Sequence, residues 1–450
     1  MRPLRPLRLP NALTLLVICT LLAAALSYIL PAGLYDRADD PATGRSVVVA
    51  GSYHHVAPQP LGPFDAFVAI PNGIIKAADV IGFVFLVGAA FSVIDKTGAL
   101  RAGIHWLVQR LGDRGIWAIP VVCLAFATGG AFEHMQEEII ALIPPLLVLT
   151  GRLGFTATTA VSMSIGSAAI AAAFSPLDPF QVLIAQKVAH VPLLSGSGYR
   201  SVFLAVAIIL WIGATMRYAH RTRTSVTAAD TETSASLRGR DIGVLVIIIA
   251  AFAMFGYGIA ILKWDFPQEA ALFFIMGIAC GLVGGLGLEG TATAFGEGFA
   301  SMAYAALLIG FARAISVAME QGLIIDTVVH GLALPLAGLP TALAGVGMML
   351  VQAAIHVPVP SVSGQAVLTL PVFAPLGDLI HVSRQVSVLA YQYGGGLCEL
   401  VTPTNGALMA ILAAAGVRYD QWMRAAGKPL LLLAALGALA IVLALTVMKL

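Results

Sequence analysis

The sequence Ser175-Pro176-Leu177-Asp178-Pro179 lies in the middle of an apolar stretch, residues 156–190. Proline removes a helical backbone hydrogen bond, so a helix that follows this stretch must stop and restart there. A second apolar stretch, residues 383–416, is interrupted in the same way by Thr402-Pro403-Thr404-Asn405-Gly406. Each break brings side-chain oxygens and freed backbone carbonyls to membrane depth, where they can hold a cation or a substrate. The sequence therefore predicts two broken helices.

The composition places these breaks in an all-α polytopic membrane protein. Of the 450 residues, 59% are hydrophobic and 11% are charged, whereas soluble domains carry ~25% charged residues. A chain of this length has room for roughly nine to twelve crossings. The net charge of +2 offers no basic surface to nucleic acid. We find no nucleophile with a neighbouring base, so we expect neither an enzyme nor a cofactor.

Two stretches differ from ordinary crossings. Residues 115–150 and 335–376 each have a polar centre rich in Gly or Pro, which is tolerated at membrane depth only where protein or water satisfies the backbone. We interpret them as two re-entrant hairpins. The first apolar run is too long for a signal peptide, which predicts an uncleaved span. Nine full crossings are predicted near residues 11–30, 79–97, 156–190, 198–217, 241–263, 268–288, 301–319, 383–416 and 429–449.

The distribution of positive charge predicts the orientation. With the N-terminus in the cytoplasm, most of the 25 Lys and Arg residues fall on the cytoplasmic side of this path. The polar residues 31–62 then form the main external loop. Residues 218–240, the longest polar run, are expected to be a cytoplasmic linker between two halves.

The two halves are predicted to be an inverted repeat. A shift of 227 positions places Pro144 on Pro371 and Ser175 on Thr402, and it brings both hairpins and both breaks into register. The halves, residues 1–217 and 241–450, are joined by one extra span at 241–263. The second half is therefore expected to be upside down relative to the first, as in many secondary transporters.

Charged residues inside apolar stretches are candidates for substrate contact. Glu133, Glu137 and Glu138 lie in the first hairpin, where carboxylates are costly. They either bind a proton, a sodium ion or a cationic substrate group, or reach water at the tip. Arg313 lies within a predicted span and contacts either a substrate carboxylate or a protein acid, for which Glu399 is the candidate. The nearby sequence lacks the last histidine of the H-x-x-E-H zinc motif, so no metal beyond a sodium ion is expected.

Several short motifs carry a resemblance to a known family. They are Pro31-Ala-Gly, Gly51-Ser-Tyr-His54, Glu137-Glu138, the Asp-Pro of the first break, Ser363-Gly-Gln-Ala366, Ser383-Arg-Gln385 and Pro403-Thr404. With them the chain resembles, over about residues 10–425, the YfcC branch of the anaerobic C4-dicarboxylate carrier-like family, within the ion transporter superfamily. The resemblance implies an elevator-type carrier, a homodimer in the bacterial cytoplasmic (inner) membrane, whose hairpin tips close over the substrate. Relatives commonly read S-T-x-N-P at the first break, where this chain has Pro176 and Asp178.

We therefore expect a cation-coupled symporter or exchanger of small charged metabolites, driven by sodium ions or protons. A buried pair of carboxylates repels a dianion, so amino acids, including basic ones, are favoured over C4-dicarboxylates or other short-chain carboxylates. A channel and a membrane-embedded enzyme are more remote alternatives. The acids of the first tip are expected to face the second tip across the cavity. The predicted substrate-binding residues are Glu137, Glu138, Ser363, Gln365, Thr404, Asn405 and Arg313, and the predicted coupling-ion residues are Ser175, Asp178, Thr402 and Asn405.

Overall fold

The computed structural model describes residues 12–40, 45–100, 102–103, 106, 112–224, 238–262 and 264–448. These residues are mostly helical, and eight of the helices are long and apolar enough to cross a membrane. The chain is therefore a multi-pass membrane protein, as the composition predicts. Residues 225–237 of the predicted linker 218–240, and residues 1–11 of the N-terminus, lie outside the described part of the chain.

Helices follow one another along the chain with short connections. The α-helices are Ala12–Leu26, Pro63–Lys76, Ala78–Thr97, Ala118–Glu133, Glu137–Arg152, Ala157–Val161, Ser167–Phe174, Ile184–Val188, Ser197–Thr222, Gly239–Tyr257, Phe266–Val283, Gly287–Gln321, Ile325–Ala333, Thr341–His356, Val362–Leu379, Arg384–Cys398, Gly406–Ala414 and Tyr419–Leu443. Shorter π-helical segments are Ser162–Gly166, Pro179–Leu183, Gly258–Leu262 and Ala444–Met448, and the 3-10 segments are Gly112–Trp117 and Leu334–Gly338.

Six of the eight long apolar helices coincide with predicted crossings, and the other two, Gly115–Phe132 and Val362–Leu379, lie in the predicted hairpins. The crossing predicted at 11–30 is a helix of 15 residues, Ala12–Leu26. That is shorter than the ~20 residues that usually span a bilayer.

The predicted crossing 301–319 is too short, because the helix there runs from Gly287 to Gln321. Glu289 and Glu297 interrupt the apolar run in the sequence. The helix nevertheless continues through them, since Thr291, Ala294 and other residues at helical spacing form one buried face. We call Gly287–Gln321 the long helix; it packs against Ala78–Thr97.

Two pairs of helices form the elements that we call the first and second hairpins. The first hairpin consists of Ala118–Glu133 and Glu137–Arg152, with residues 134–136 between them as its tip. The second consists of Thr341–His356 and Val362–Leu379, with residues 357–361 as its tip. Whether they are re-entrant stays a prediction.

Two further helices stop where Pro and Gly occur. One ends at Phe174, and a helical segment resumes at Pro179, so residues 175–178 form the first break. The other ends at Cys398, and the next helix begins at Gly406, so residues 399–405 form the second break. These breaks lie at the positions that the sequence predicts.

Glycine allows each broken helix to lie directly against a hairpin. A Cβ atom on Gly130 of the first hairpin would be 2.1 Å from the Ala168 carbonyl oxygen. A Cβ atom on Gly394, beside the second break, would be 2.2 Å from the Met349 carbonyl oxygen in the second hairpin. Both distances are far below a van der Waals contact, so only glycine fits at these two positions.

The predicted external loop 31–62 contains two short antiparallel ribbons. Strand β1 (Gly33–Leu34) pairs with β4 (His54–His55), and β2 (Arg37–Asp40) pairs with β3 (Arg45–Val48).

Side chains of these ribbons attach them to the helix Ile325–Ala333. Arg37 pairs with Asp326 at 3.0 Å from Nη2 to Oδ1, and the ring of Tyr53 stacks on His330. Burial, the Asp326 carboxylate and Tyr53 together raise the pKa of Tyr35 to about 12. The Tyr35 hydroxyl therefore keeps its proton, and it lies 3.0 Å from His330 Nδ1.

We expect Gly394→Ala to lower the stability of the protein by about 1–3 kcal/mol, because the added methyl group must displace the second hairpin. The matched control is Gly213→Ala, where an added Cβ meets no atom within 4 Å and alanine favours the helix by about 1 kcal/mol. Thermal unfolding in detergent measures both variants. A midpoint for Gly394→Ala at or above that of the unaltered protein would contradict this packing.

Candidate functional site

The first break is held against the first hairpin by its own polar side chains. Ser175 Oγ donates to the Ala131 carbonyl at 2.6 Å and accepts from the backbone N–H of Asp178 at 3.0 Å. Asp178 Oδ1 accepts from the N–H groups of Phe180 and Gln181, each at 2.8 Å. Asp178 is thus the N-cap of the resumed helix, which is a favoured place for a carboxylate. One Asp178 oxygen, Oδ2, remains for other partners.

The second break is built in a similar way. Thr404 Oγ1 donates to the Val357 carbonyl in the second tip at 2.6 Å. Thr402 Oγ1 lies 2.7 Å from Thr404 Oγ1. Asn405 Oδ1 accepts from the Leu408 N–H at 3.1 Å, so Asn405 caps its helix as Asp178 does. Each break therefore anchors one hairpin through a hydroxyl group and caps a helix through an Asp or Asn.

His134 joins the first tip to both breaks. Its Nδ1 is 2.7 Å from Asp178 Oδ2, and its Nε2 is 3.4 Å from Glu399 Oε1. Asp178 is fully buried and Glu399 is 4% exposed. His134 itself has a positive φ of 54°, a conformation that is uncommon outside glycine and is often found at functional sites. The ring is thereby aimed between two carboxylates.

Gln136 forms further hydrogen bonds between the first tip and the second break. Its Nε2 donates to Glu399 Oε2 and lies 3.1 Å from His134 Nε2. Its Oε1 accepts from Asn405 Nδ2 at 3.3 Å. We call His134, Gln136, Asp178 and Glu399, together with Asn405, the polar cluster. A buried network of this kind is stable only when every member has partners.

The two predicted acids of the first tip lie beside the polar cluster. Glu137 and Glu138 begin the helix Glu137–Arg152, where the helix dipole favours negative charge. Both are half-buried, and Glu138 Oε2 accepts from the Gln136 N–H at 3.0 Å. Glu137 is close enough to His134 and Glu399 to interact with their charges. The side chain of Glu133 lies outside the described part of the structure.

Gln365 occupies a different environment from the one expected. Its Oε1 is 2.8 Å from His356 Nδ1, and its Nε2 donates to the Gln352 side chain at 2.7 Å. Both ends of this amide are therefore already bonded inside the second hairpin, so it contacts a substrate only if these bonds break. Ser363, in the first turn after the second tip, is half-buried.

Arg313 lines a cavity of about 420 Å³ between the long helix, the second tip and the two ribbons of residues 33–55. Two acids that share this cavity are paired with other cations: Glu320 binds Lys76, and Asp326 binds Arg37, which also lines the cavity. Small and hydroxyl-bearing residues line the cavity beside Arg313, namely Ser316, Ser361 and Gly364.

The long helix that carries Arg313 packs against the helix that follows the second break. Ser316, one turn beyond Arg313 on the long helix, donates to the Pro358 carbonyl in the second tip at 3.2 Å. A Cβ atom on Gly406 would be 3.4 Å from Ala312 Cβ. Glu399, the partner expected for Arg313, instead bonds to His134 and Gln136.

Arg200 stabilises the first break through a side chain of a neighbouring helix. The distribution of positive charge in the sequence predicts an external position for this arginine. It is 1% exposed, and its Nε donates to Gln392 Oε1 at 2.8 Å. Gln392 Nε2 in turn donates to the Ser175 carbonyl at 2.6 Å. A carbonyl that the break releases is thus satisfied by a neighbouring helix.

Sequence reasoning missed His134, Gln136 and Arg200. His134 and Gln136 lie between predicted acids in the first tip, and their positions offered a signal, because a polar tip that reaches membrane depth needs internal partners. The partners of His134 are Asp178 and Glu399, which lie 44 and 265 residues away in the sequence. The local pattern therefore does not reveal them.

Comparison with known sequences agrees with the motif resemblance. The family model described as "C4-dicarboxylate anaerobic carrier" matches residues 9–446. A protein of Escherichia coli (strain K12) named "Putative basic amino acid antiporter YfcC" is 31% identical over 94% of each chain. An uncharacterized protein of Haemophilus influenzae is 26% identical over 92% of each chain.

Two solved transporter structures also align with most of the chain. The Alcanivorax borkumensis YdaH transporter has a TM-score of 0.43 and 18% identity, covering 97% of this chain and 98% of that one. Neisseria gonorrhoeae MtrF has a TM-score of 0.43 and 15% identity, covering 97% and 95%.

The family match spans nearly the whole chain and confirms the resemblance inferred from the motifs. The chain belongs to the C4-dicarboxylate anaerobic carrier family.

Proposed function

We propose that this protein is a secondary active carrier that moves a small charged metabolite together with, or in exchange for, a cation, and that its substrate is an amino acid with a basic side chain. The observation that carries the proposal is the polar cluster. It brings the first tip, the first break and the second break together around buried carboxylates, and broken helices of this kind form the substrate site in many secondary transporters.

The charge at the cluster favours a cationic group. Asp178 and Glu399 are buried there, Glu137 and Glu138 lie beside them, and the ring of His134 lies between Asp178 and Glu399. Carboxylates in a site of low dielectric repel a dianion and attract an ammonium or guanidinium group. The amino acid side chain would bind at this end.

Arg313 supplies the opposite charge on the long helix, which packs against the helix that follows the second break. Its guanidinium can form two parallel hydrogen bonds with a carboxylate, and the acids that share its cavity are paired with other cations. A basic amino acid carries a cationic side chain and a carboxylate at opposite ends. Such a molecule fits a site with acids at one end and an arginine at the other.

The name of the Escherichia coli relative, which mentions basic amino acids, supports this substrate class. The second candidate is a C4-dicarboxylate, as in the family description. The observation that favours it is that two arginines, Arg37 and Arg313, line one cavity.

The proposed mechanism is an elevator movement in a homodimer of the bacterial cytoplasmic membrane, with the N-terminus in the cytoplasm. Two inverted halves would each supply one hairpin and one break, and these elements would move together with the substrate. The tight contacts at Gly130 and Gly394 support movement as one body. The breaks would also hold the coupling ion through Ser175, Asp178, Thr402 and Asn405, with the ion being sodium or a proton.

Uptake into proteoliposomes tests the substrate class directly. The purified protein is reconstituted and given labelled arginine, lysine, ornithine or succinate, with and without a sodium gradient. We expect uptake of the basic amino acids and none of succinate above empty vesicles. Uptake of succinate alone would refute the proposed substrate and favour a dicarboxylate carrier.

Asp178→Asn tests the charge of the first break without removing its cap, because asparagine is an equally good N-cap residue. We expect uptake to fall roughly 10- to 100-fold, as for the loss of a charged hydrogen-bond partner. The control is Asp378→Asn, an exposed acid paired with Arg384. Equal uptake by Asp178→Asn and the unaltered protein would exclude Asp178 from the site.

Arg313→Gln tests whether this arginine binds the carboxylate of the substrate. We expect the inhibition constant of arginine to rise roughly 10- to 100-fold. The constant of agmatine, which is arginine without its carboxylate, should change little. Arg217→Gln, at an exposed position, is the matched control. An equal weakening of arginine and agmatine would mean that Arg313 does not bind the carboxylate.

A further inference from the structure

Both ring nitrogens of His134 have polar partners. Nδ1 is 2.7 Å from Asp178 Oδ2. Nε2 lies between two groups of opposite character, Glu399 Oε1 at 3.4 Å and Gln136 Nε2 at 3.1 Å. The first of these groups can only accept a hydrogen bond when ionised, and the second can only donate one.

This arrangement satisfies the imidazole in two protonation states. A neutral ring has one N–H, which the Nδ1 position gives to Asp178, and its bare Nε2 then accepts from the Gln136 amide. A protonated ring has two N–H groups, and the second is given to Glu399. The ring can therefore gain or lose a proton while Nδ1 keeps its bond to Asp178 and Nε2 changes its partner from the Gln136 amide to Glu399, which is what a reversible proton site requires.

The charges around His134 depend on that proton. Among the residues whose side chains the structure describes, the titratable groups that interact with it are Asp178 from the first break, Glu399 from the second break, Glu137 from the helix after the tip, and His356 from the second hairpin. Protonated His134 neutralises part of this acidic surrounding. When the proton leaves, Asp178 and Glu399 remain buried without a cation, which is unfavourable until another cation replaces it.

We propose that His134 carries the coupling proton, and that Asp178 and Glu399 receive the cationic group of the substrate when that proton has left. This inference rests on the proposed function and specifies its coupling ion and direction. Proton and substrate occupy the same carboxylate pair in turn, so they cross the membrane in opposite directions.

The exchange balances at each side of the membrane. On one side a proton leaves His134 Nε2 for water, and the substrate cation binds the two carboxylates. On the other side the substrate leaves, and a proton from water binds Nε2, which again donates to Glu399. Each turnover moves a proton against a cationic substrate, with no other reactant.

A proteoliposome assay with an imposed pH gradient tests the direction of coupling. Without sodium, an acidic interior should drive arginine uptake, because protons leave as arginine enters. His134→Gln should lose this uptake. The loss of this uptake should exceed the loss of exchange of labelled external arginine for internal arginine, which needs no proton step; a merely structural role for His134 would impair both equally. His220→Gln, exposed at the end of the helix Ser197–Thr222, is the control and should keep both activities.

A second measurement needs no variant. Arginine added to the purified protein in a weakly buffered solution should release protons, detected with a pH indicator, in proportion to the arginine bound. Arginine binding without proton release, or uptake driven by a sodium gradient and unaffected by pH, would overturn the inference and leave the proposed function intact. Uptake of succinate alone would instead refute the proposed function, and with it the cationic occupant.

Discussion

The cost of placing carboxylates in an apolar interior is the constraint on which the arrangement of this protein depends. Asp178 and Glu399 are buried, and a buried charge persists only when it is paired and hydrogen-bonded. His134 pairs with both, although the three residues come from three separate elements. The first tip and the two breaks must therefore lie together, and Gly130 allows the close packing of the first hairpin on the first broken helix that this requires.

The same contacts explain how binding and movement can be linked. In the proposed mechanism, opening the site at the first tip would separate His134 and Gln136 from the two breaks and leave buried acids unpaired. A substrate that supplies a cation would remove that cost, so an occupied or a protonated site could close while an empty, ionised one is disfavoured. Charge neutralisation by different cations would thus give exchange without a separate gate. Ser316 links the helix of Arg313 to the second tip, so carboxylate binding is placed to affect the second hairpin.

Much of the fold follows from local sequence, and the site follows only in part. Pro176, Pro179 and Pro403 mark the breaks, because each removes a helical backbone hydrogen bond and a neighbouring Asp178 or Asn405 caps the helix that resumes. The sequence does not predict that the long helix begins at Gly287, because Glu289 interrupts the apolar run. Buried neighbouring residues nevertheless keep this part of the helix packed. The sequence does not predict the contact between His134 and Glu399 for a different reason. Their pairing depends on tertiary contact across 265 positions, and no spacing rule encodes that.

The most direct measurement of the central claim is an experimental structure with arginine bound. The account predicts that the guanidinium of the ligand lies within hydrogen-bond distance of Asp178 or Glu399. It also predicts that the carboxylate of the ligand points towards Arg313. Density for arginine at another place, with the contacts of His134 to both acids unchanged, would contradict the account.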